Sequence, residues 1–182
     1  MARLMKMKGD TALGLPQHAP LARGEVRQIP VPAVARVLST LWQVEYADAF
    51  LMDTAGARDR TAEQWARAIL EEAPSAVRGT LLSGWSTLGL RLGFDQPDRF
   101  VLGWEIRRRT PEFVLLAAGS RIGMPAELLF KRFPGTLLFA TFVQKENAIA
   151  RATWAGADLV HRRVVRRLLE QAGSRCRAES DT

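Results

Sequence analysis

The chain has 182 residues, 47% of them hydrophobic and 25% charged, and carries a net charge of +7. That is ordinary globular composition, enough for one domain with a real core, and it excludes wholesale disorder. Of the 26 basic residues 22 are arginine; a bias so uniform fits codon composition, so it weighs less as a nucleic-acid signal than as a general attraction to polyanions and acidic surfaces.

Residues 1–28 show little periodicity and read as a flexible arm. The opening MARLMKMKGD has no apolar stretch behind its basic residues, so no secretory signal is expected. Pro16, Pro20, Pro30 and Pro32 punctuate the approach to a domain over residues 29–173. Pro32 suits a first helical turn, followed by a short helix from Ala33 to Thr40. Val44 to Asp53 is the first strand, most regular at AFLM. Asp59 or Thr61 offers a cap for a helix in which Trp65, Ala68, Ile69 and Ala73 recur at helical spacing, with Glu63 in its first turn. A further helix is expected from Ser75 to Leu92, weakened by Gly79, Gly84 and Gly89.

The period then changes from about 3.6 to 2. Phe100, Leu102, Trp104 and Ile106 alternate along one strand. EFVLLAAGS, AELLFKRF and TLLFATFVQKE follow as three more, separated by the turns Thr110–Pro111, SRIGMP and Pro134–Gly135. In the last of them Leu138, Ala140 and Phe142 lie opposite Leu137, Phe139, Thr141 and Val143. Short links favour an antiparallel meander. Ala150, Trp154, Ala157, His161, Val164 and Leu168 then form a helical stripe within 148–172, widened by Val160, Val165 and Leu169. Gly173 is placed to cap it, and 174–182 is a polar tail. The fold class expected is α+β: an antiparallel meander wrapped on a long C-terminal helix, with two helices between the first strand and the meander.

That order resembles the START-like (SRPBCC, helix-grip) superfamily and, more narrowly, a bacterial domain-of-unknown-function family of that type. The resemblance rests on VEYADAF, on TAEQWARAIL followed by a second helix, and on DLVHRRVVRRLL, and it covers roughly residues 30–172. It implies a cavity between sheet and helix that binds or transforms an apolar small molecule, and it implies no catalytic set. Five strands are expected here against seven in the full grip.

Among single residues, His161 stands on the apolar stripe, where an imidazole can bond a ligand or move a proton. The plainer account is a core histidine paired with a carbonyl or carboxylate, and it carries more weight. Asp48 and Glu105 are the carboxylates that could serve His161 in a cyclase- or dehydratase-like enzyme. Glu105 and Arg107 on one strand face also read as a surface ion pair. Trp65, Trp85, Trp104 and Trp154 sit on apolar faces and read first as core. Trp104, Phe142, Trp154 and His161 are the wall residues expected around a ligand.

Two histidines, one of them His18 in the arm, and one cysteine give no zinc spacing. No nucleophile elbow or phosphate-binding glycine loop occurs, and no cofactor is implied. RRVVRR at 162–167 reads as a solvated basic rim, with attraction to an acidic partner or membrane as the rival account. It contains no specific nucleic-acid motif. No run of 18 apolar residues occurs, so no transmembrane segment is expected. Cys176, the single cysteine, placed in the polar tail, suits a reducing cytoplasm. Oligomeric state has no sequence signal.

Overall fold

The computed structural model describes residues 20–54 and 59–180. Most of the arm, including His18, lies outside the described residues. In chain order the elements are β1 (Val26–Ile29), α1 (Ala33–Leu38), β2 (Tyr46–Asp53), α2 (Ala62–Leu70), α3 (Ser75–Thr87), β3 (Leu90–Arg91), β4 (Phe100–Val101), β5 (Trp104–Arg109), β6 (Phe113–Ser120), β7 (Ala126–Phe133), β8 (Thr136–Val143) and α4 (Ala148–Ser180). The fold is α+β and helix-grip-like, with an eight-strand antiparallel sheet and a long C-terminal helix. The strand order is β1-β2-β8-β7-β6-β5-β4, and β3 pairs with β6.

Strand alternation sorts the core into two layers. Phe50 and Met52 of β2, Val114 and Leu116 of β6, Leu128 and Phe130 of β7, and Leu137 and Phe139 of β8 meet Trp65, Ile69 and Leu70 of α2 and Trp154, Val165, Leu168 and Leu169 of α4. Their neighbours one residue away (Ala49, Leu51, Leu115, Leu129, Leu138, Ala140 and Phe142) lie on the opposite face. There they pack with Ala35 of α1 and with Leu21, Val31, Leu38, Leu41 and Val44. A sheet covered on both sides reads as continuous apolar runs, as β6 and β8 do. One buried carboxylate fastens the second layer. Glu127 on β7 is 1% exposed; it accepts from Ser39 Oγ (2.6 Å), Thr40 N and Thr40 Oγ1, which anchors the chain just beyond α1.

Four local expectations need correction. β1 lies partly within the stretch read as an arm, because Val26–Ile29 pairs residue for residue with Ala49–Met52. The helix expected to reach Leu92 stops at Thr87: Gly89 takes φ +72, and Leu90–Arg91 turns to pair with β6. The single strand expected over FVLGWEIRRR is a hairpin, with Leu102 (φ 44) and Gly103 (φ 87) turning the chain between β4 and β5. Positive φ at both central residues is the geometry of a tight hairpin turn. Finally, α4 runs through Gly173 to Ser180. The Arg175 guanidinium donates to Ala68 O at 2.8 Å, and Cys176 is buried beside the Arg60 guanidinium rather than in a polar tail. These contacts with α2 and the residue before its cap outweigh the weak helix propensity of a glycine.

A buried polar cluster beside an open interhelical groove

Residue spacing on two elements assembles the candidate site. On β2, Tyr46 and Asp48 are two residues apart and therefore share the face that meets α4. On α4, Trp154, Asp158, His161 and Arg162 fall at steps of four, three and one, within reach of one side of the helix. Thr141 of β8 stands directly across from Asp48 in the sheet register.

At the junction, His161 Nε2 lies 3.2 Å from Asp48 Oδ2. The Tyr46 hydroxyl donates to the same oxygen at 2.8 Å, and Arg162 Nε donates to the Tyr46 oxygen at 3.2 Å. Arg162 is held in turn by both oxygens of Asp158, one turn back on α4. The Trp154 ring lies 4.7 Å from that of Tyr46 and 5.2 Å from that of His161, centre to centre. The Asp48 side chain is only 2% exposed and that of His161 18%.

Burial pushes the Asp48 carboxyl towards its neutral form. The hydrogen bond and charge of His161, then Tyr46 and Thr141, outweigh that and hold it below the usual carboxylate range. Tyr46 is pushed up, first by burial and then by the charge and hydrogen bond of Asp48.

The cluster is incompletely satisfied. Asp48 Oδ1, Thr141 Oγ1, His161 Nε2 and Trp154 Nε1 are all sealed from solvent without a well-aligned hydrogen bond. The His161–Asp48 contact is close, at 3.2 Å, but is not aligned as a hydrogen bond. Few buried polar atoms are left unpaired in folded proteins, and four of those among the described residues belong to this cluster.

Space opens on the other side of His161. A groove of about 820 Å³ runs between α3 and α4, lined by Gly79, Leu81, Gly84 and Trp85 on one wall and by Ala157, Val160, His161 and Val164 on the other. Beneath it, toward Leu128 and Phe139 of the sheet, lies a small cavity of about 40 Å³, bordered by the same Leu81, Trp85, His161 and Val164. Among the described residues, the space between sheet and α4 is nearly filled at this point, and the larger opening beside His161 is interhelical. Val160, expected on the buried stripe, is 59% exposed at the rim of this groove.

The predicted site residues separate accordingly. His161 lines the groove. Trp154 stands behind it, against Tyr46. Trp104 is one layer further back, edge-on to the groove residue Trp85 with ring centres 5.4 Å apart. Phe142 lies on the opposite face of the sheet, among Ala35, Leu129 and Ala140. Alternation along β8 separates the two faces of the strand correctly, but both are apolar, so it does not say which one meets α4. Glu105 is engaged at the surface by Arg99 and Arg107. Asp48 is the carboxylate that reaches His161. Tyr46 and Thr141 were not expected at the site as partners of Asp48; the i, i+2 spacing of Tyr46 and Asp48 was the available signal. Of the basic run, Arg162 is bound to Asp158 and Tyr46, whereas Arg163, Arg166 and Arg167 are exposed.

Among the described residues no three His, Cys, Asp or Glu side chains gather as metal ligands, and no helix is long and apolar enough to cross a membrane.

No family model matches the chain, and no curated protein does. Among solved structures it is similar to that of CalU16 from Micromonospora echinospora, with 11% sequence identity and a TM-score of 0.30 over 75% of this chain and 90% of that one. At that level the likeness carries no argument about function.

Proposed function

We propose that the chain is a START-like binding module for an apolar small molecule, and that the molecule lies in the α3/α4 groove with its polar end at His161. The observation that supports this reading is the meeting of an apolar groove of about 820 Å³ with a sealed, partly unsatisfied polar cluster at one wall. Small-molecule sites typically enclose roughly 300–1,000 Å³, mostly apolar, with a few placed polar groups. The 40 Å³ cavity under the groove is too small for more than a few waters or the tip of a ligand. The lone thiol keeps the cytoplasm as the preferred compartment.

The test is native mass spectrometry of the purified protein, alongside a Gly84→Phe variant. Gly84 is exposed on the groove wall, and a Cβ there meets nothing within 4 Å, so the new ring fills the groove without entering the core. The reading expects an apolar molecule bound to the parent chain, either co-purified or taken up from an added panel, and lost from Gly84→Phe. A parent chain that neither carries nor takes up any such molecule contradicts it.

A second reading has its own observation. A histidine 3.2 Å from a buried carboxylate and open to a groove is the arrangement of an oriented general base. In a cyclase- or dehydratase-like enzyme, His161 would move the proton and Asp48 would orient the ring. Conversion of the bound molecule that stops in His161→Ala, with binding retained, separates this reading from simple binding.

A further inference from the structure

We infer that the groove selects a ligand that donates a hydrogen bond, an alcohol or phenol hydroxyl on an otherwise apolar body, because Asp48 fixes the His161 ring with its proton on Nε2 and the Nδ1 lone pair facing the groove. This deepens the binding reading above and rests on it.

An ionised Asp48 only accepts hydrogen bonds, and its Oδ2 already receives the Tyr46 hydroxyl. Nε2 of His161 is sealed, and Oδ2 at 3.2 Å is the acceptor it reaches. A bare lone pair on Nε2 facing that oxygen would be repelled, whereas an N–H there meets an acceptor. In a neutral imidazole, fixing the proton on one nitrogen makes the other an acceptor. Nδ1 is not among the sealed, unpaired atoms, and the ring borders both the groove and the small cavity beneath it.

The opposite wall points the same way. The Thr80 and Thr87 hydroxyls donate to Ala76 O and Ser83 O of their own helix, each at 2.9 Å. They present only lone pairs to a ligand. No Lys, Arg, Asp or Glu lines the groove, so an anionic head finds no fixed cation. Arg162, the nearest on α4, is held by Asp158 and Tyr46. Acceptors at Nδ1, Thr80 and Thr87, with no fixed charge and one hydroxyl (Ser83) that can turn either way, favour a neutral donor over a carboxylate.

The test compares two uncharged probes of nearly equal shape, 2-naphthol and 2-methoxynaphthalene, on the full chain at about pH 8. The inference expects 2-naphthol to bind about tenfold more tightly. It also expects ¹⁵N spectra to show His161 as the neutral form protonated on Nε2. Asp48→Asn, which no longer fixes the ring, brings the affinity ratio towards one. Equal binding of both probes, or an imidazolium or Nδ1–H form of His161, overturns the inference while leaving the groove as a binding site. Binding of neither probe removes the groove reading and the inference with it. If Asp48→Asn does not fold, the probe ratio and the spectra of the parent chain decide alone.

Discussion

Asp48 is the residue on which the site turns. Three groups converge on a carboxylate almost wholly out of solvent: the His161 ring, the Tyr46 hydroxyl and the Thr141 side chain opposite. Replacing it by alanine leaves donors without an acceptor and is expected to cost about 1–3 kcal/mol near neutral pH, read by urea unfolding. The pH dependence has a definite sign. The folded carboxyl titrates below its ordinary value of 3.8, so the unfolded chain binds the proton more readily. The stabilisation from this group is therefore full above about pH 4–5 and is lost as pH falls through the folded value. Below that range the stability gap between the parent chain and Asp48→Asn should narrow. A gap that goes on widening below about pH 4 contradicts the assignment. Sequence reading could pair His161 with Asp48 as candidates, because each occupies the apolar side of its own element. It could not rank Asp48 over Glu105 or bring in Thr141, since those choices depend on strand register; for Tyr46, two residues from Asp48 on β2, the spacing was the signal. Phe142 shows the same limit from the other side: alternation gives its neighbours but not the layer it faces.

At the scale of elements, α2 and α3 contrast. α2 opens with a full capping box, in which Thr61 and Gln64 satisfy each other's backbone N–H groups, and it buries Trp65, Ile69 and Leu70. α3 has no side-chain cap, buries only Leu81, and carries Gly79 and Gly84 with open space where a Cβ would stand. It is the weakly held wall of the groove. Gly79→Ala and Gly84→Ala are each expected to stabilise the fold by roughly 0.5–1 kcal/mol. Together they should raise the thermal midpoint by a few degrees. A lowered midpoint would mean that α3 is not a regular helix at these positions. Long elements were legible in the sequence because their periodicity persists over several turns or strand residues: α2, α4 and β6 to β8 fall close to where the pattern puts them. β1 and β3 escape the pattern, and β4 merges with β5, because two to four residues carry no period of their own. The end of α4 was misplaced because Gly173 is a local stop signal, and the contacts of Arg175 and Cys176 that override it are tertiary.

Across the whole molecule, the sheet has two covered faces and α4 spans one of them, so the space between sheet and helix is largely occupied by Trp65, Trp154, Phe130 and Phe139. The helix-grip outline was readable from the order of elements. The position of the free volume was not, because it depends on how far α3 stands from α4. In the function proposed above, an apolar molecule lies in this interhelical groove. Chemical-shift mapping during titration with 2-methoxynaphthalene tests it most directly. The account predicts saturable shifts centred on Leu81, Trp85, His161 and Val164, with Leu129, Ala140 and Phe142 on the far layer unmoved. Shifts gathered on that far layer, or scattered without saturation, would contradict it.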